Sequence, residues 1–585
     1  MLSLWRKTIL CLTPEERRSS FGVVALMALN AVFEVIGVAS LMPFLAVLAD
    51  PEQIHRQPVL SQFYAWAGFT RAEDFLILLG AGAFALLVLT AVVRSATLFV
   101  QNQFVQMRRH TLGCRLLAGY LAQPYEFFLN RHTGDLGKNI LSEVDMFIDR
   151  ALLPIGYVVS FGLVLLVMIA FLVAIQPLTA LVIAVVLGTF YVIVYRIVRG
   201  ILGRGGQARA TANRTRFESA TEALGGIKTL KVLGRETTYL GRFTGASEIV
   251  ARNFALSAIL GQIPKFVIET VAFGGIILAA LVVLVSNGVE GSLGTLLPLL
   301  SLYALAGYRM LPAVQGVYQA ISTLRFAAPA VDTIVRELDT LRLGQNIAPA
   351  TTRLPLLETF ELRDVTYSYP GSVAGLHGVT LTVRKGESLG IVGRTGSGKT
   401  TLVDVILGLL TPQSGSVLVD GVPLDAARRR AWQRSLGYVP QDIFLTDASL
   451  AENIAMGLAP GDIDPARVER AARIAHIHDF VMESLPDGYA TRVGERGVRL
   501  SGGQRQRIGI ARALYHDPEV IVFDEATSAL DSLTESEVME AIQTLSGTKT
   551  VILIAHRTGT LEACDRVVRL EGGRVDTPIS RAFPR

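Results

Sequence analysis

The chain has little cysteine and little charge. Three cysteines, Cys11, Cys114 and Cys564, occur in 585 residues. They share no paired spacing, which argues against a disulfide framework and a zinc site. Charged residues make up only 18% of the chain and hydrophobic ones 51%. With a mean hydropathy of +0.44, that balance excludes an ordinary soluble protein of this size. The net charge of +5 is modest, and the placement of lysine and arginine says more than their sum. Basic residues open the chain, but no clear cleavage site follows. The first apolar run also outlasts a signal peptide, so it reads as a retained membrane helix.

What is present is a set of six apolar runs, at residues 21–48, 75–93, 152–175, 178–198, 266–285 and 293–314. Each approaches or exceeds the roughly 20 residues that a helix needs to cross a bilayer. The three outer connections contain only Arg56 and Arg71 as basic residues. The other two are rich in them: Arg108, Arg109, Arg115, Arg131, Lys138 and Arg150 in one, Arg196 through Lys265 in the other. The positive-inside rule then places both termini in the cytoplasm. The long inner connections read as helical, so the helices should extend well past the membrane. Residues 49–74, on the outer side, are longer than a turn requires. Their centre, residues 59–68, reads either as a short amphipathic helix with Phe63, Tyr64 and Trp66 near the headgroups or as an ordinary interfacial aromatic anchor, and the sequence leaves both open.

Polar residues within the spans are costly in hydrocarbon and therefore informative. Asn30 and Glu34 are one turn apart in the first run. Arg94 closes the second, Lys265 and Glu269 open the fifth, and Arg309 lies in the sixth beside Tyr308 and Pro312. Arg94, Lys265 and Arg309 would suit an anionic head group such as a phosphate or pyrophosphate. Snorkelling or local pairing with glutamate at helix ends is the other reading of the same residues, and the sequence leaves both open.

Residues 1–328 thus form an all-α transmembrane domain, 329–356 a polar linker and 357–585 an α/β domain. Within the last, residues 393–400 read Gly393, Arg394, Thr395, Gly396, Ser397, Gly398, Lys399, Thr400, which fits G-x-x-x-x-G-K-[ST]. A short apolar run precedes it and an apolar helical pattern, beginning at Thr401, follows. That is the context in which such a loop cradles phosphates: inward-pointing amides, a helix N-terminus, Lys399 on the β- and γ-phosphates and the Thr400 hydroxyl on Mg²⁺. Residues 520–525 read as a buried strand ending in two carboxylates. Asp524 can hold Mg²⁺ through water, and Glu525 can act as general base on the attacking water. Leu500, Ser501, Gly502, Gly503 and Gln504 form a second glycine-rich turn that opens a helix, hence a second anion site.

On these motifs the sequence resembles the ATP-binding-cassette family over essentially all of residues 357–573. The resemblance implies that Tyr369 stacks on adenine, that Gln441 contacts Mg²⁺ and senses the membrane domain, that Asp531 belongs to a loop at the dimer interface, and that His556 is the switch histidine. It also implies ATP sandwiched between the phosphate loop of one cassette and the Ser501–Gln504 turn of another. A chain with one cassette and six spans should therefore act as a C₂ homodimer with two equivalent sites. Segments near residues 143–149 and 229–240 are the expected coupling helices. Membrane domain before cassette is the exporter arrangement. Residues 222–236, 264–269 and 307–312 are similar to the PglK type of lipid-linked oligosaccharide flippase. That implies flipping of a polyprenyl-pyrophosphate-linked glycan from the inner to the outer leaflet, with Arg94, Lys265 and Arg309 meeting the pyrophosphate and bilayer lipids surrounding the spans. The expected setting is a bacterial inner membrane with the cassette in the cytoplasm. Export of lipid A, peptides or drugs is the alternative, and an ATP-gated channel or regulatory membrane ATPase is the reading from another class. Six spans argue against a nucleic-acid partner.

Overall fold

The computed structural model describes residues 2–49, 51–175, 177–287, 293–342, 352–371, 374–494, 497–525, 539–540, 548–555, 561 and 564–576. The chain divides into two compact units. The first is Met1–Gln123 with Asn130–Gln345; the second is Pro124–Leu129 with Asn346–Arg585.

The first unit is helical. A short helix, α1 (Leu2–Leu10), precedes α2 (Pro14–Ala39), whose start is fixed by local chemistry. Thr13 caps the Glu16 amide and the Glu16 side chain returns to the Thr13 amide, with proline at the first turn. The first apolar run is not one helix, as its length suggested. It ends at Ala39, and α3 (Leu41–Ala49) follows after Ser40. Pro43 explains the break, because its ring would collide with the Ala39 carbonyl and it has no N–H to donate there.

After α3 come two short helices, α4 (Gln53–Arg56) and α5 (Pro58–Trp66). Leu60 and Ile54 are buried with Val47 and Phe75, and Tyr64 packs against this cluster. Trp66 is 82% exposed and Val59 78%. The segment is thus a two-faced helix with Trp66 on its open face, while Tyr64, expected at the headgroups with it, packs inward on Phe75 with ring centroids 5.1 Å apart.

The helix α6 (Ala72–Leu121) has 50 residues, a length of about 75 Å at 1.5 Å per residue. That is more than twice the thickness of a bilayer core of about 30 Å. Three described stretches are long and apolar enough to cross a membrane: Pro14–Leu48, Ala72–Leu121 and Gly134–Ala174. The remaining expected spans fall within later helices of 49, 52 and 34 residues, Pro177–Gly225, Glu236–Asn287 and Leu293–Phe326. The connection after residue 130 contains two π-helical turns, Asn139–Glu143 and Ile148–Leu152, before the helix Leu153–Ile175.

The second unit carries two sheets. Strands β1 (Thr359–Ser368), β2 (Gly375–Arg384), β4 (Ser414–Val419) and β5 (Val422–Pro423) form an antiparallel sheet in the order β2-β1-β4-β5. The other sheet has the order β10-β9-β3-β8-β7-β6. Its members are β3 (Ser388–Val392), β6 (Leu436–Val439), β7 (Val520–Asp524), β8 (Thr550–Ile554), β9 (Arg566–Glu571) and β10 (Arg574–Val575). β9, β3, β8, β7 and β6 run parallel. β7 and β8 are buried along their whole length, as parallel strands covered on both faces must be. The segment Pro124–Leu129, with its short helix Tyr125–Leu129, belongs to this unit. Residues 143–149 and 229–240 both lie in the first unit, whereas the helix that folds with the cassette is upstream of both.

Candidate nucleotide site

The site lies at the C-terminal ends of parallel strands, where open α/β sheets bind ligands. Between β3 and the helix Lys399–Ile406 runs the loop of residues 393–398. Gly398 caps that helix with φ +102°, a left-handed conformation that a side chain would strain. At Gly393 a β-carbon would sit 2.4 Å from the Leu570 carbonyl oxygen, so only glycine fits the turn. Arg394, Thr395 and Gly396 are exposed at the loop's tip. The Ser397 hydroxyl is buried and makes no hydrogen bond among the described residues.

Lys399 is 6% exposed, and its Nζ donates to the carbonyls of Gly393 at 2.8 Å and Arg394 at 3.3 Å. The ammonium thus folds back over the loop and holds it in shape. Its Nζ is also 3.9 Å from Glu525 Oε1. Thr400 is exposed in the first helical turn, and the Thr401 hydroxyl donates to the Tyr369 hydroxyl at 3.4 Å.

Asp524 ends β7 and Glu525 follows it with φ +51°. A glutamate in the left-handed region stores strain of about 1–3 kcal/mol, and such strain clusters at functional sites. Its Oε2 accepts from Gln441 Nε2 at 3.0 Å. Asp524 accepts from the Tyr438 hydroxyl at 3.5 Å. Burial and the neighbouring Glu525 raise the Asp524 carboxyl above its ordinary range. Asp404, on the helix that follows the phosphate loop, is pushed up to about 6 by burial and by Asp524. Sequence reasoning passed over Asp404 and Tyr438. A lone aspartate in the apolar pattern 401–407 was the available signal for the first.

The second glycine-rich turn is at the start of the helix Gly502–Tyr515. Ser501 caps the Gln504 amide at 3.2 Å, and Gln504 Oε1 accepts from the Ser501 amide at 2.8 Å. The turn is exposed, with Gly502 open and Gly503 half-buried. The structure thus gathers Tyr369, residues 393–401, Gln441, Asp524 and Glu525 around one loop. Asp531 and His556 lie outside the described residues.

Of the expected substrate residues, Arg94 Nη1 is 3.5 Å from Glu34 Oε1, and Lys265 Nζ is 3.7 Å from Glu269 Oε1. Glu34 is buried, whereas the Arg94 side chain is 61% exposed. Both cations therefore have local carboxylate partners. The Arg309 side chain lies outside the described residues.

Two family models match: ABC transporter at residues 376–528, and ABC transporter transmembrane region at residues 26–308. The heterocyst differentiation ATP-binding protein HepA of a Nostoc species is 30% identical, over 98% of this chain and 93% of its own length. The chain belongs to the ABC transporter family. The ATP-dependent lipid A-core flippase of Ralstonia nicotianae is 31% identical, over 84% of this transporter and 83% of its own length. The leukotoxin translocation ATP-binding protein LktB of Bibersteinia trehalosi is also 31% identical, over 91% and 73%. The solved structure of a bacterial Atm1-family ABC exporter with ATP bound shares the fold. Its TM-score is 0.76 at 23% identity, covering 96% of this transporter and 95% of that chain. The transporter is thus an exporter-type membrane protein that binds ATP and couples its hydrolysis to translocation.

Proposed function

We propose that this exporter works as a homodimer in a bacterial inner membrane, with its cassette in the cytoplasm, and flips a polyprenyl-pyrophosphate-linked oligosaccharide to the outer leaflet. The observation that carries the reading is its likeness, over most of its length, to flippases named for lipid A-core, a saccharide-bearing lipid. Arg94 and Lys265 support it, since each is a cation in or beside a span that a phosphate could draw from its carboxylate. Arg309 would join them. Lipid A-core is the second reading, favoured by the same relatives' names.

In the cassette, the phosphate loop holds ATP with its amides and Lys399, and Tyr369 stacks on adenine. The oxygen donors of Thr400, Gln441 and Asp524 suit Mg²⁺, a hard cation that neutralises charge on the transferring phosphate. Glu525 takes a proton from the attacking water, and Gln441 orients Glu525. His556 and Asp531 would complete the site on the γ-phosphate and across the dimer. Ser501 and Gln504 would meet ATP from the second copy. Exposed apolar side chains at Val232, Leu233 and Leu240 suit a second copy as their cover.

The test is flipping of a fluorescent polyprenyl-pyrophosphate oligosaccharide in proteoliposomes, run beside lipid A-core. ATP-dependent movement of the first by wild type, and not by Glu525→Gln, supports the reading. Movement of lipid A-core alone replaces it with the second.

A further inference from the structure

A groove of about 710 Å³ runs along two helices of the first unit, Pro177–Gly225 and Glu236–Asn287. Arg204, Gln207, Thr211 and Thr215 line it from the first helix, Arg242 and Ile249 from the second, over a floor of alanines. At 3.6 residues per turn, positions 204, 207, 208, 211 and 215 share one side of their helix. Gly206 is on the other side, where a β-carbon would sit 2.2 Å from the Phe326 carbonyl oxygen. That side is packed shut against the helix Leu293–Phe326. The ladder of polar side chains is left exposed.

The charge here has one sign. Residues 177–217 contain six arginines and no carboxylate. Arg209 is paired with Glu143, and Arg214 with Asp135 and Glu218. Among the described residues neither Arg204 nor Arg242 has a carboxylate partner. The Arg242 guanidinium instead lies over the Tyr239 ring, 5.6 Å from its centroid. The two helices run antiparallel: a β-carbon on Gly205 would sit 2.9 Å from Asn253 Oδ1, which puts Thr215 across from the turn that carries Arg242. Arg204 and Arg242 therefore stand at opposite ends of the groove, about 16 Å apart along the helix axis at 1.5 Å per residue.

We infer that this groove holds an acidic oligosaccharide, with one anionic group on Arg204 and another on Arg242. A small anion would meet one guanidinium; an extended ligand reaches both ends, and each planar fork pairs with a carboxylate or phosphate in two bonds. Between the ends, the Gln207 amide and the Thr211 and Thr215 hydroxyls match sugar hydroxyls. The alanines and Ile249 take the C–H faces of the rings, the usual division of a small-molecule site into apolar walls and a few polar groups. The inference rests on the proposed flipping and narrows its substrate to acidic glycans. Arg204 lies only six residues, about 9 Å, past the apolar run 178–198. A glycan whose lipid stays in the bilayer thus hangs along the groove with Arg204 nearest the lipid.

The experiment measures binding of tetragalacturonate, an acidic probe, and maltotetraose, a neutral one of equal sugar number, to the full chain in lipid nanodiscs by titration calorimetry. Wild type is expected to bind tetragalacturonate at least about tenfold more tightly than maltotetraose. R204Q and R242Q should each weaken the acidic probe about tenfold, the loss of one charge-assisted contact, and leave the neutral one unchanged. R252Q, on the same helix as Arg242 but paired with Glu248 outside the groove, should change neither. Equal affinity for the two probes, full affinity in R204Q and R242Q, or a loss in R252Q as large as theirs would overturn the groove. The flipping assay separates this result from the proposed function. Binding of tetragalacturonate without movement of any lipid-linked glycan keeps the groove as an acidic-saccharide site and removes the flipping. Movement of a neutral lipid-linked glycan with no binding of tetragalacturonate keeps the flipping and removes the groove.

Discussion

Gln441 Nε2 donates a 3.0 Å hydrogen bond to Glu525 Oε2. A glutamate in a left-handed backbone conformation is thereby held from its side chain as well as from its amide, which donates to the Ile554 carbonyl at 3.1 Å. Replacing Glu525 with Gln keeps the shape and removes the proposed base. Turnover should fall by about 10²–10⁴-fold, the range for a general base. ATP binding should persist. Phosphate release and nucleotide-binding assays on the same preparation check both halves, and near-normal turnover would remove Glu525 from its role.

Lys399 gives a different pattern. Its ammonium is shared between the loop carbonyls and the carboxylate of Glu525. Lys399→Ala should weaken ATP binding itself by at least about tenfold, the loss of one charge-assisted contact of about 1.5–3 kcal/mol. Lys399→Arg should not restore it, since the planar guanidinium cannot take the place of a compact ammonium in a tight loop. Equilibrium binding of a fluorescent ATP analogue separates this effect from lost chemistry.

The phosphate loop and the two carboxylates were legible because each is local: strand, turn and helix follow one another within about a dozen residues. β3 runs from Ser388 to Val392, where the apolar run placed it. What was hidden depended on long-range packing. The six residues Pro124–Leu129 fold with a sheet that begins more than 200 positions later, and a five-residue helix has too few turns to show an apolar period. Asp404 was masked by the apolar helix around it. The break at Ser40 was within reach, since Pro43 gives the signal, but the length of the apolar run outweighed it. Pairing of Arg94 with Glu34 joins residues 60 positions apart, and both readings of that arginine were open until the helices were placed.

Asp420 ties the start of β1 to the end of β4. Its carboxylate accepts from the amides of Leu357, Glu358 and Thr359 at 2.9, 2.7 and 2.9 Å. Burial alone would raise its pKa, but these three amides outweigh burial and hold it below the ordinary value of 3.8. A depressed carboxylate stabilises the fold above its unfolded pKa and loses that contribution as pH falls toward the folded value. Asp420→Ala should therefore destabilise the cassette at pH 7 by about 1 kcal/mol after solvent screening. The gap to wild type should close only below pH 3.8. Thermal unfolding followed from pH 7 to 3 tests the sign: a gap that widens in acid would contradict it.

The first unit contains an ion pair whose two side chains are only 3% and 4% exposed, Arg209 Nη2 and Glu143 Oε2 at 3.3 Å. The π-helical turn at Asn139–Glu143 shifts the helical register and so aims Glu143 inward. Arg209 Nε finds no hydrogen-bond partner among the described residues, so the guanidinium depends heavily on that carboxylate. Glu143→Gln should cost about 3–5 kcal/mol, because it leaves a buried charge unmatched rather than because the pair itself is strong. Removing both charges, as Glu143→Leu with Arg209→Met, should cost much less than the single change. Thermal inactivation of detergent-solubilised protein distinguishes the cases. If the double variant were as unstable as Glu143→Gln, the pair would be contributing attraction in its own right, and the cost of an orphaned charge would not be the explanation.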